Sequence, residues 1–356
     1  MAVERDLPDL EVRQAPDNLV FVCGFPSGGT DLLMSVMNAH PQIFIPGEFP
    51  LLPAMARTYG SSVPVADVDR LIADFLRHDG YRNFRNHHWS NFQANRKDEV
   101  TLGPLPPADG DGEYSLSVIY RYLLGVPDSV LWTGNKTPSN TEHIEDVRTL
   151  FPGARFILIA RDVRDVSLSW RRKWGKDEIL AAAKWSQRMR IGLDSLAELS
   201  DADGLRLSFE QLLDDLPGVC AAICSFLGVA FDAEMLSFHQ KTTKVIDGKP
   251  NWGKPLVAGN YGKWRGVMSQ KMVRRIEEIA LPTMIALGYE ASAADMHVPV
   301  TRWERLRGYG RDAWATIAVH NRYMGDRGLR KRLRNVAFES KKLLSSRRRS
   351  RRTTSK

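Results

Sequence analysis

A glycine-rich turn at residues 24–29 separates an apolar run from a helical pattern, and this order constrains the fold more than any other feature. The run at 18–23, NLVFVC, combines β-branched and aromatic side chains and ends at a glycine, which predicts a buried strand. The stretch at 30–39, TDLLMSVMNA, repeats apolar side chains at helical spacing and stops before a proline. A strand, a glycine-rich loop and a helix therefore follow one another.

Strand and helix patterns alternate again downstream. Residues 154–160, ARFILIA, predict a strand that leads into a helix at 163–174, and residues 204–209, GLRLSF, predict a strand followed by the helix EQLLDDL. Longer helices are predicted at 176–199 and 270–287. Such alternation favours an α/β fold of P-loop type, a three-layer arrangement in which helices flank a central parallel sheet.

Two regions lie outside this pattern. Within residues 59–112, the stretches SSVPVADVDR (61–70) and GPLPPADGDG predict loops, and we expect an irregular insertion on the acceptor side. Residues 301–356 contain 18 Lys or Arg against 4 Asp or Glu, a net charge of +14, which leaves −6 for the first 300 residues out of a total of +8. We expect one domain at 1–300 and a basic, partly helical extension at 301–356 with a disordered end.

The turn sequence Ser27-Gly28-Gly29-Thr30 is typical of an anion site. In open parallel sheets, ligands bind at the carboxyl ends of strands, where a helix that starts there offers N–H groups with partial positive charge. Glycine permits the backbone geometry of an anion nest. The Lys that nucleotide triphosphatases place before the hydroxyl residue is absent, which argues against ATP. An oxyanion is the expected ligand, with a purely structural turn as the alternative.

The second candidate anion site is RDVRDVSLSW at residues 161–170. Arg161 follows directly on the ARFILIA strand, so it lies at the binding edge of the predicted sheet, and Ser169 lies about two turns into the next helix. An Arg fork with a hydroxyl suits a dianionic phosphate. The alternative is a solvated, charged helix start.

Together these segments resemble the sulfotransferases that use 3′-phosphoadenosine 5′-phosphosulfate (PAPS). GFPSGGTDLL is similar to their 5′-phosphosulfate loop, usually G-x-P-R-S-G-T-T-L-L, and RDVRDVSLSW is similar to their 3′-phosphate motif, R-D-x-R-D-x-x-x-S. NAHPQIFIPGE at 38–48 and GNKTP at 134–138 resemble the H-P…G-E and N-K-x-P stretches of the tyrosylprotein and related bacterial branch. With RLSFEQLL and YGKWRG, the likeness runs from Asn18 to Glu290 in the family's order.

The resemblance implies an enzyme that moves a sulfuryl group from PAPS to a hydroxyl of a carbohydrate, glycolipid or other metabolite and releases 3′-phosphoadenosine 5′-phosphate (PAP). It implies Glu48 as general base and Lys136 as the cation that stabilises the leaving group. Arg161 and Ser169 match the residues that hold the 3′-phosphate. Further donor contacts are the loop residues Pro26, Ser27, Gly28, Gly29, Thr30 and Asp31, and also Lys263 and Trp264, for which a structural role is an equal alternative. No motif demands a metal.

Two loop positions depart from the family pattern. Ser27 stands in place of Arg or Lys, and Asp31 stands in place of the second Thr. Ser27 has no charge, so either Lys136 takes a larger share of the charge stabilisation or a different cation enters. Asp31 would repel the donor unless it points away or pairs with a cation. These departures make a PAP-binding protein with weakened catalysis one alternative, and a P-loop kinase that uses ATP is the other.

Location is predicted from what the chain lacks and from its basic tail. No window reaches the roughly 18 uncharged apolar residues that a membrane span requires, and the charged first residues, MAVERDLPDLEVRQ, contain no signal-peptide core. We therefore expect a cytoplasmic protein. The basic tail is typical of a solvated segment that binds nothing. The aromatic residues among its basic ones make peripheral contact with an anionic membrane surface the alternative, and nucleic acid is less favoured.

Overall fold

The computed structural model describes residues 18–46, 51–77, 112–126, 129–241 and 255–323. The charged first residues, Glu48, nearly all of the loop predicted at GPLPPADGDG, and the basic end of the chain lie outside these ranges. The chain divides into two compact units. The sheet unit comprises residues 1–160 and 191–258, and the helical unit comprises residues 161–190 and 259–356.

Within the described residues, the sheet unit contains a five-stranded parallel sheet in the order β2-β5-β1-β6-β7. A separate antiparallel pair is formed by β3 and β4. The strands are β1 (Leu19–Gly24), β2 (Ile43–Phe44), β3 (Ser62–Pro64), β4 (Glu113–Ser115), β5 (Trp132–Lys136), β6 (Arg155–Ala160) and β7 (Gly204–Ser208). The central strand, β1, is buried along its whole length, as its apolar run predicts.

Helices follow the strands in the alternation that the sequence predicts. The described helices are α1 (Thr30–Met37), α2 (Leu51–Tyr59), α3 (Val65–Arg77), α4 (Leu116–Leu123), α5 (Ile144–Leu150), α6 (Val163–Trp174), α7 (Glu178–Ala197), α8 (Phe209–Asp214), α9 (Leu216–Leu227), α10 (Phe238–Lys241), α11 (Gln270–Ala286) and α12 (Arg302–Tyr323). Short 3₁₀ turns lie at Pro138–Glu142 and Ala233–Ser237. The α/β class with a parallel sheet flanked by helices is therefore confirmed.

The core of the sheet unit is built from β-branched strand residues and the apolar stripe of α1. Val20 and Val22 of β1 pack with Leu33 and Met37 of α1 in one buried cluster, which also includes residues of α9. This packing fixes the start of α1 against the end of β1. The glycine-rich loop between them is therefore held at the carboxyl edge of the sheet.

The loop prediction for residues 61–70 is wrong. Ser62–Pro64 form β3, and α3 begins at the next residue, Val65. Val68, Leu71 and Phe75 recur at spacings of three and four along α3, and all three are buried. This amphipathic repeat is a helix signal that the proline and the surrounding polar residues obscured. The strand is set by pairing of Ser62 with Ser115, a partner remote in sequence.

Other element predictions agree closely with the structure. The helix predicted at 163–174 has those ends, and the one predicted at 270–287 ends one residue earlier, with Pro282 inside it. The helix predicted at 176–199 is shorter at both ends. No helix in the described ranges is long and apolar enough to cross a membrane. The division into a domain at 1–300 and an extension at 301–356 stays a prediction.

Candidate functional site

The glycine-rich loop makes a tight turn at the end of β1. The backbone N–H of Gly28 donates to the carbonyl oxygen of Phe25 at 2.7 Å. Gly29 has a φ of 102°, and a Cβ added there would lie 2.4 Å from the ring of Phe209. Only glycine fits this position. Ser27 also adopts a left-handed backbone, with a φ of 68°, which is uncommon for a residue with a side chain.

The start of the loop is held by a side chain far away in sequence. The hydroxyl of Thr141 accepts the backbone N–H of Gly24 at 2.7 Å and donates to the carbonyl of the same residue at 2.9 Å. At the other end, α1 starts after Gly29, which supplies no side-chain cap for the helix. The first-turn N–H groups and their partial positive charge therefore lie at the carboxyl edge of the sheet.

Lys136 supplies a buried cation at this edge. It is the last residue of β5, and its side chain is 1% exposed. Its Nζ lies 2.7 Å from Oδ1 of Asp31, in the first turn of α1, and the Asp31 side chain is 36% exposed. The prediction that Asp31 must point away or pair with a cation is therefore answered, because it pairs with Lys136.

The turn after β5 fixes the position of Lys136. Oδ1 of Asn135 accepts hydrogen bonds from Oγ1 of Thr137 at 3.0 Å and from Nδ2 of Asn140 at 2.9 Å. All three residues are buried. The hydroxyl of Tyr120 donates to the carbonyl of Gly134 at 3.2 Å. The Asn of the GNKTP motif is thus a structural residue that shapes the chain on either side of the lysine.

The segment that leads towards Glu48 is held by two other motif residues. The side chain of Asn38 donates to the carbonyl of Ile45 at 2.9 Å and accepts its N–H at 2.7 Å. Nδ1 of His40 accepts the N–H of Gln42 at 3.1 Å, which leaves Nε2 to donate to the carbonyl of Ala230 at 2.9 Å. These contacts shape the entry into β2. Glu48 itself lies outside the described residues.

In the helical unit, Asp165 connects Arg161 to the YGKWRG segment. The carboxylate of Asp165 accepts the backbone N–H of Gly262 at 2.7 Å and that of Trp264 at 3.1 Å. Nη2 of Arg161 lies 3.4 Å from the same carboxylate. Arg161 is therefore held at the start of the helix, one residue after β6 ends. Sequence reasoning missed Asp165, since the aspartate of R-D-x-R-D gave no sign of its distant backbone partners.

Arg164, the second arginine of the motif, is a structural residue. Its guanidinium is buried and pairs with Asp162 at 2.8 Å and with Glu277 at 2.6 Å. Burial alone would lower the pKa of Arg164, but the two carboxylates raise it above its ordinary value. The ring of Trp264 is buried, with the Arg164 Cζ 4.2 Å from its centroid. This packing favours the structural alternative for Trp264.

Glu277 is the most completely hydrogen-bonded of these carboxylates. It is 0% exposed, and it accepts from the backbone N–H groups of Ser292, Ala293 and Ala294 and from the hydroxyl of Ser292. Burial would raise the pKa of Glu277, but these donors and Arg164 hold it below its ordinary value. The carboxylate therefore stays charged and joins α6 to the chain after α11.

Two other predicted site residues lie in the helical unit. Ser169 is half-buried on α6, and Lys263 is exposed between the two residues whose N–H groups bind Asp165. Of the predicted residues, the structure therefore joins Asp31 to Lys136 in the sheet unit, and it joins Arg161 to the backbone around Lys263 through Asp165 in the helical unit.

Comparison with known proteins shows similarity in sequence and in fold. A sequence profile described as "Sulfotransferase family" matches residues 19–233. The chain is 22% identical over 293 residues to the putative protein-tyrosine sulfotransferase of Caenorhabditis briggsae, covering 78% of this chain and 91% of that protein. It is 23% identical over 291 residues to protein-tyrosine sulfotransferase A of Caenorhabditis elegans, covering 77% and 68%. The sulfotransferase domain of the olefin synthase from Synechococcus PCC 7002 has a similar fold, with a TM-score of 0.50, 22% identity, and coverage of 77% and 95%.

Proposed function

The chain belongs to the sulfotransferase family, and on that premise we propose that it takes the sulfuryl group from PAPS, transfers it to a hydroxyl acceptor and releases PAP. The observation that supports this most is the buried ammonium of Lys136 beside the first turn of α1. A buried cation beside a helix start that has no side-chain cap suits the phosphosulfate of the donor. The same premise decides against the kinase alternative.

In the proposed mechanism, Lys136 stabilises the charge that builds on the bridging oxygen as its bond to sulfur breaks. The electron pair of that bond stays on the 5′-phosphate of PAP, while the acceptor oxygen forms the new bond to sulfur. Glu48, by the family resemblance, takes the proton of the acceptor hydroxyl. The loop from Pro26 to Thr30, including Ser27, Gly28 and Gly29, positions the phosphosulfate for in-line transfer.

For the 3′-phosphate, we assign Arg161 and Ser169, with Lys263 as an outer contact. Support comes from the hydrogen bonds of Asp165, which hold Arg161 and the backbone on either side of Lys263. A planar guanidinium held in this way is pre-organised for a phosphate. This contact would favour PAPS over adenosine 5′-phosphosulfate, which lacks the 3′-phosphate.

The acceptor is tested with labelled PAPS and a panel of hydroxyl compounds. The relatives named protein-tyrosine sulfotransferases support a tyrosine peptide as the first acceptor to test. A carbohydrate and a glycolipid are the other two acceptors in the panel. We expect PAP release that depends on one of these acceptors. Glu48→Gln should abolish turnover and leave PAP binding intact, and retained turnover would remove Glu48 as the base.

The weakened-enzyme alternative has its own test. Ser27 has no charge where the family has Arg or Lys, so Ser27→Arg should raise turnover only modestly if Lys136 already supplies the cation. Activity that appears in Ser27→Arg and is absent from the wild type would favour a PAP-binding protein. A ligand that binds the folded state raises the melting temperature. A sulfotransferase and a PAP-binding protein should both be stabilised by PAP, whereas a nucleotide triphosphatase should be stabilised by ATP plus magnesium.

We also propose that the basic extension contacts an anionic membrane surface through α12. Trp303 is 80% exposed and Trp314 is 74% exposed. They are eleven positions apart in the sequence, about three helical turns, so both lie on one face of the helix with Arg307 between them. Tryptophan at the membrane interface and arginine near anionic lipid each favour this contact.

Vesicle binding tests the membrane proposal. The double substitution Trp303→Ala and Trp314→Ala should reduce co-sedimentation with phosphatidylserine vesicles, while Ile285→Ala, which removes an exposed apolar side chain from α11, should not. Binding that is unchanged by the double substitution, or that is stronger for duplex DNA than for vesicles at the same salt concentration, would contradict it.

A further inference from the structure

Asp31 and Lys136 form an ion pair at the place where the donor's anion is expected. The two atoms in contact lie 2.7 Å apart, and the lysine side chain is almost entirely buried, whereas the aspartate side chain is 36% exposed. Asp31 is also in the first turn of α1, where a negative charge is favourable. The carboxylate therefore receives two stabilising effects that the phosphosulfate of the donor would also receive.

Two anions cannot share this cation and this helix start without cost. A carboxylate close to a dianionic group destabilises it by charge repulsion, most strongly where water is excluded. The burial of Lys136 limits the solvent that could screen the repulsion, and the exposure of Asp31 leaves its carboxylate a route towards solvent. The arriving anion and the resident carboxylate therefore compete for one ammonium group.

We propose that Asp31 is a positioning residue that neutralises Lys136 in the free enzyme and is displaced from it when PAPS or PAP binds. This inference rests on the proposed function of the same site. Lys136 changes partner, from the Asp31 carboxylate to an oxygen of the donor. The threonine that the family has at this position carries no charge, so this exchange follows from the aspartate of this chain.

The exchange lowers the apparent donor affinity. A ligand that binds only the form with Lys136 released has its affinity reduced by the fraction of molecules in that form. Replacing Asp31 with a neutral side chain removes the competitor, so the affinity for PAP should rise about tenfold. The KM for PAPS should fall with it, since the effect acts before the chemical step and not on kcat.

The test compares the full-length wild type with Asp31→Asn, by calorimetric titration with PAP and by steady-state kinetics with PAPS. Asp201→Asn is the matched control, because it makes the same charge change at an exposed residue before the amino end of β7. We expect PAP to bind about tenfold more tightly to Asp31→Asn and equally to the control. Equal or weaker binding to Asp31→Asn would overturn the inference, since a carboxylate that only stabilises the fold does not oppose the donor.

Asp31→Thr is the second variant, and it restores the hydroxyl residue of the family pattern. It should show the same increase in PAP affinity, so the inference remains testable if the asparagine variant does not fold. Failure of the proposed function has a separate signature. A wild type that does not bind PAP would overturn the donor assignment and this inference together, whereas a wild type that binds PAP with unchanged variants overturns the inference alone.

Discussion

Two of the charge clusters in the described part of the chain differ in what their carboxylates contact. In the helical unit, Glu277 is fully buried and accepts hydrogen bonds from three backbone N–H groups as well as from Arg164. In the sheet unit, Asp31 is 36% exposed and pairs with the buried ammonium of Lys136. A carboxylate held by the backbone cannot leave without unfolding its surroundings, whereas a half-exposed one can change partner.

This difference separates structural charges from functional ones. Burial and an arginine partner would make Arg164 and Glu277 a candidate functional pair, yet their hydrogen bonds are directed at the protein itself. The Asp31–Lys136 pair lies beside the first-turn N–H groups of α1, where, in our proposal, an external anion replaces the carboxylate. The comparison therefore predicts loss of stability for substitutions in the first cluster and altered donor chemistry for those in the second.

The largest effect is expected for Glu277→Gln. Removing the charge leaves Arg164 buried with less compensation, and the amide nitrogen would face backbone N–H donors, so the free energy of unfolding should fall by about 3–5 kcal/mol. Chemical denaturation measures this. Glu290→Gln, at an exposed position in the same unit, should change stability by no more than about 0.5 kcal/mol. A loss of unfolding free energy as small as that of the control would contradict a structural role for Glu277.

Lys136→Met should act on chemistry instead. Without the ammonium, the charge on the leaving oxygen has lost its stabilising donor, and kcat should fall about 10²–10³-fold. Lys271→Met, an exposed lysine at the start of α11, is the control and should keep kcat within about twofold. Acceptor-dependent PAP release measures both. If Lys136→Met retains wild-type kcat, the two clusters do not differ in the way we describe.

Asp165→Asn tests a carboxylate that has both a structural and a functional contact. It accepts hydrogen bonds from two backbone N–H groups, and it also holds Arg161. The asparagine amide can accept only on its oxygen, so Arg161 should lose orientation and PAP affinity should fall about tenfold. Affinity for adenosine 5′-phosphosulfate should change far less. Asp295→Asn, an exposed aspartate, is the control. Equal losses for both ligands would show that Asp165 does not act through the 3′-phosphate.

The smallest effect concerns Glu304, a carboxylate that hydrogen bonds to Arg275 and to Thr301. The hydrogen bond from Arg275 is the largest of the effects that lower the pKa of Glu304 from 4.5 to about 2, and hydrogen bonds from Thr301 add to it against the opposing effect of burial. Because the folded pKa is below the unfolded one, the stability it contributes is present above pH 4.5 and is lost as the pH falls towards 2.

Glu304→Gln should therefore cost about 1 kcal/mol at pH 7, a value reduced by partial exposure of the pair, and the difference from wild type should vanish in acid. Denaturation at a series of pH values measures it. A difference that is as large at pH 2 as at pH 7 would mean that packing of α12, and not the charge, is responsible.

Local patterns in the sequence predicted the elements that form through local interactions. The helix at 163–174 and the buried strand before the glycine-rich loop follow from apolar periodicity. The contacts that complete the site are remote. Thr141 holds Gly24 across 117 residues, and Asp165 holds Gly262 across 97. No spacing rule reports such partners, so the roles of Thr141 and Asp165 emerge only from the structure.

The candidate site could be predicted from the sequence at the positions where this chain has the same residues as the family motif. The departures at Ser27 and Asp31 were visible in the sequence, but the partner of Asp31 was not, because β5 and α1 meet only when β1 and β5 pair in the sheet. Similarly, a tryptophan at position 264 could stack on a ligand or on Arg164, and the sequence alone does not distinguish these roles. Its burial against that guanidinium favours the structural role.

The central claim is that the Lys136 charge is exchangeable, and a crystal structure of the PAP complex tests it most directly. We predict that Nζ of Lys136 moves to within hydrogen-bond distance of a 5′-phosphate oxygen of PAP and that the Asp31 carboxylate leaves it. A complex in which Lys136 remains 2.7 Å from Asp31 and makes no contact with PAP would contradict the account.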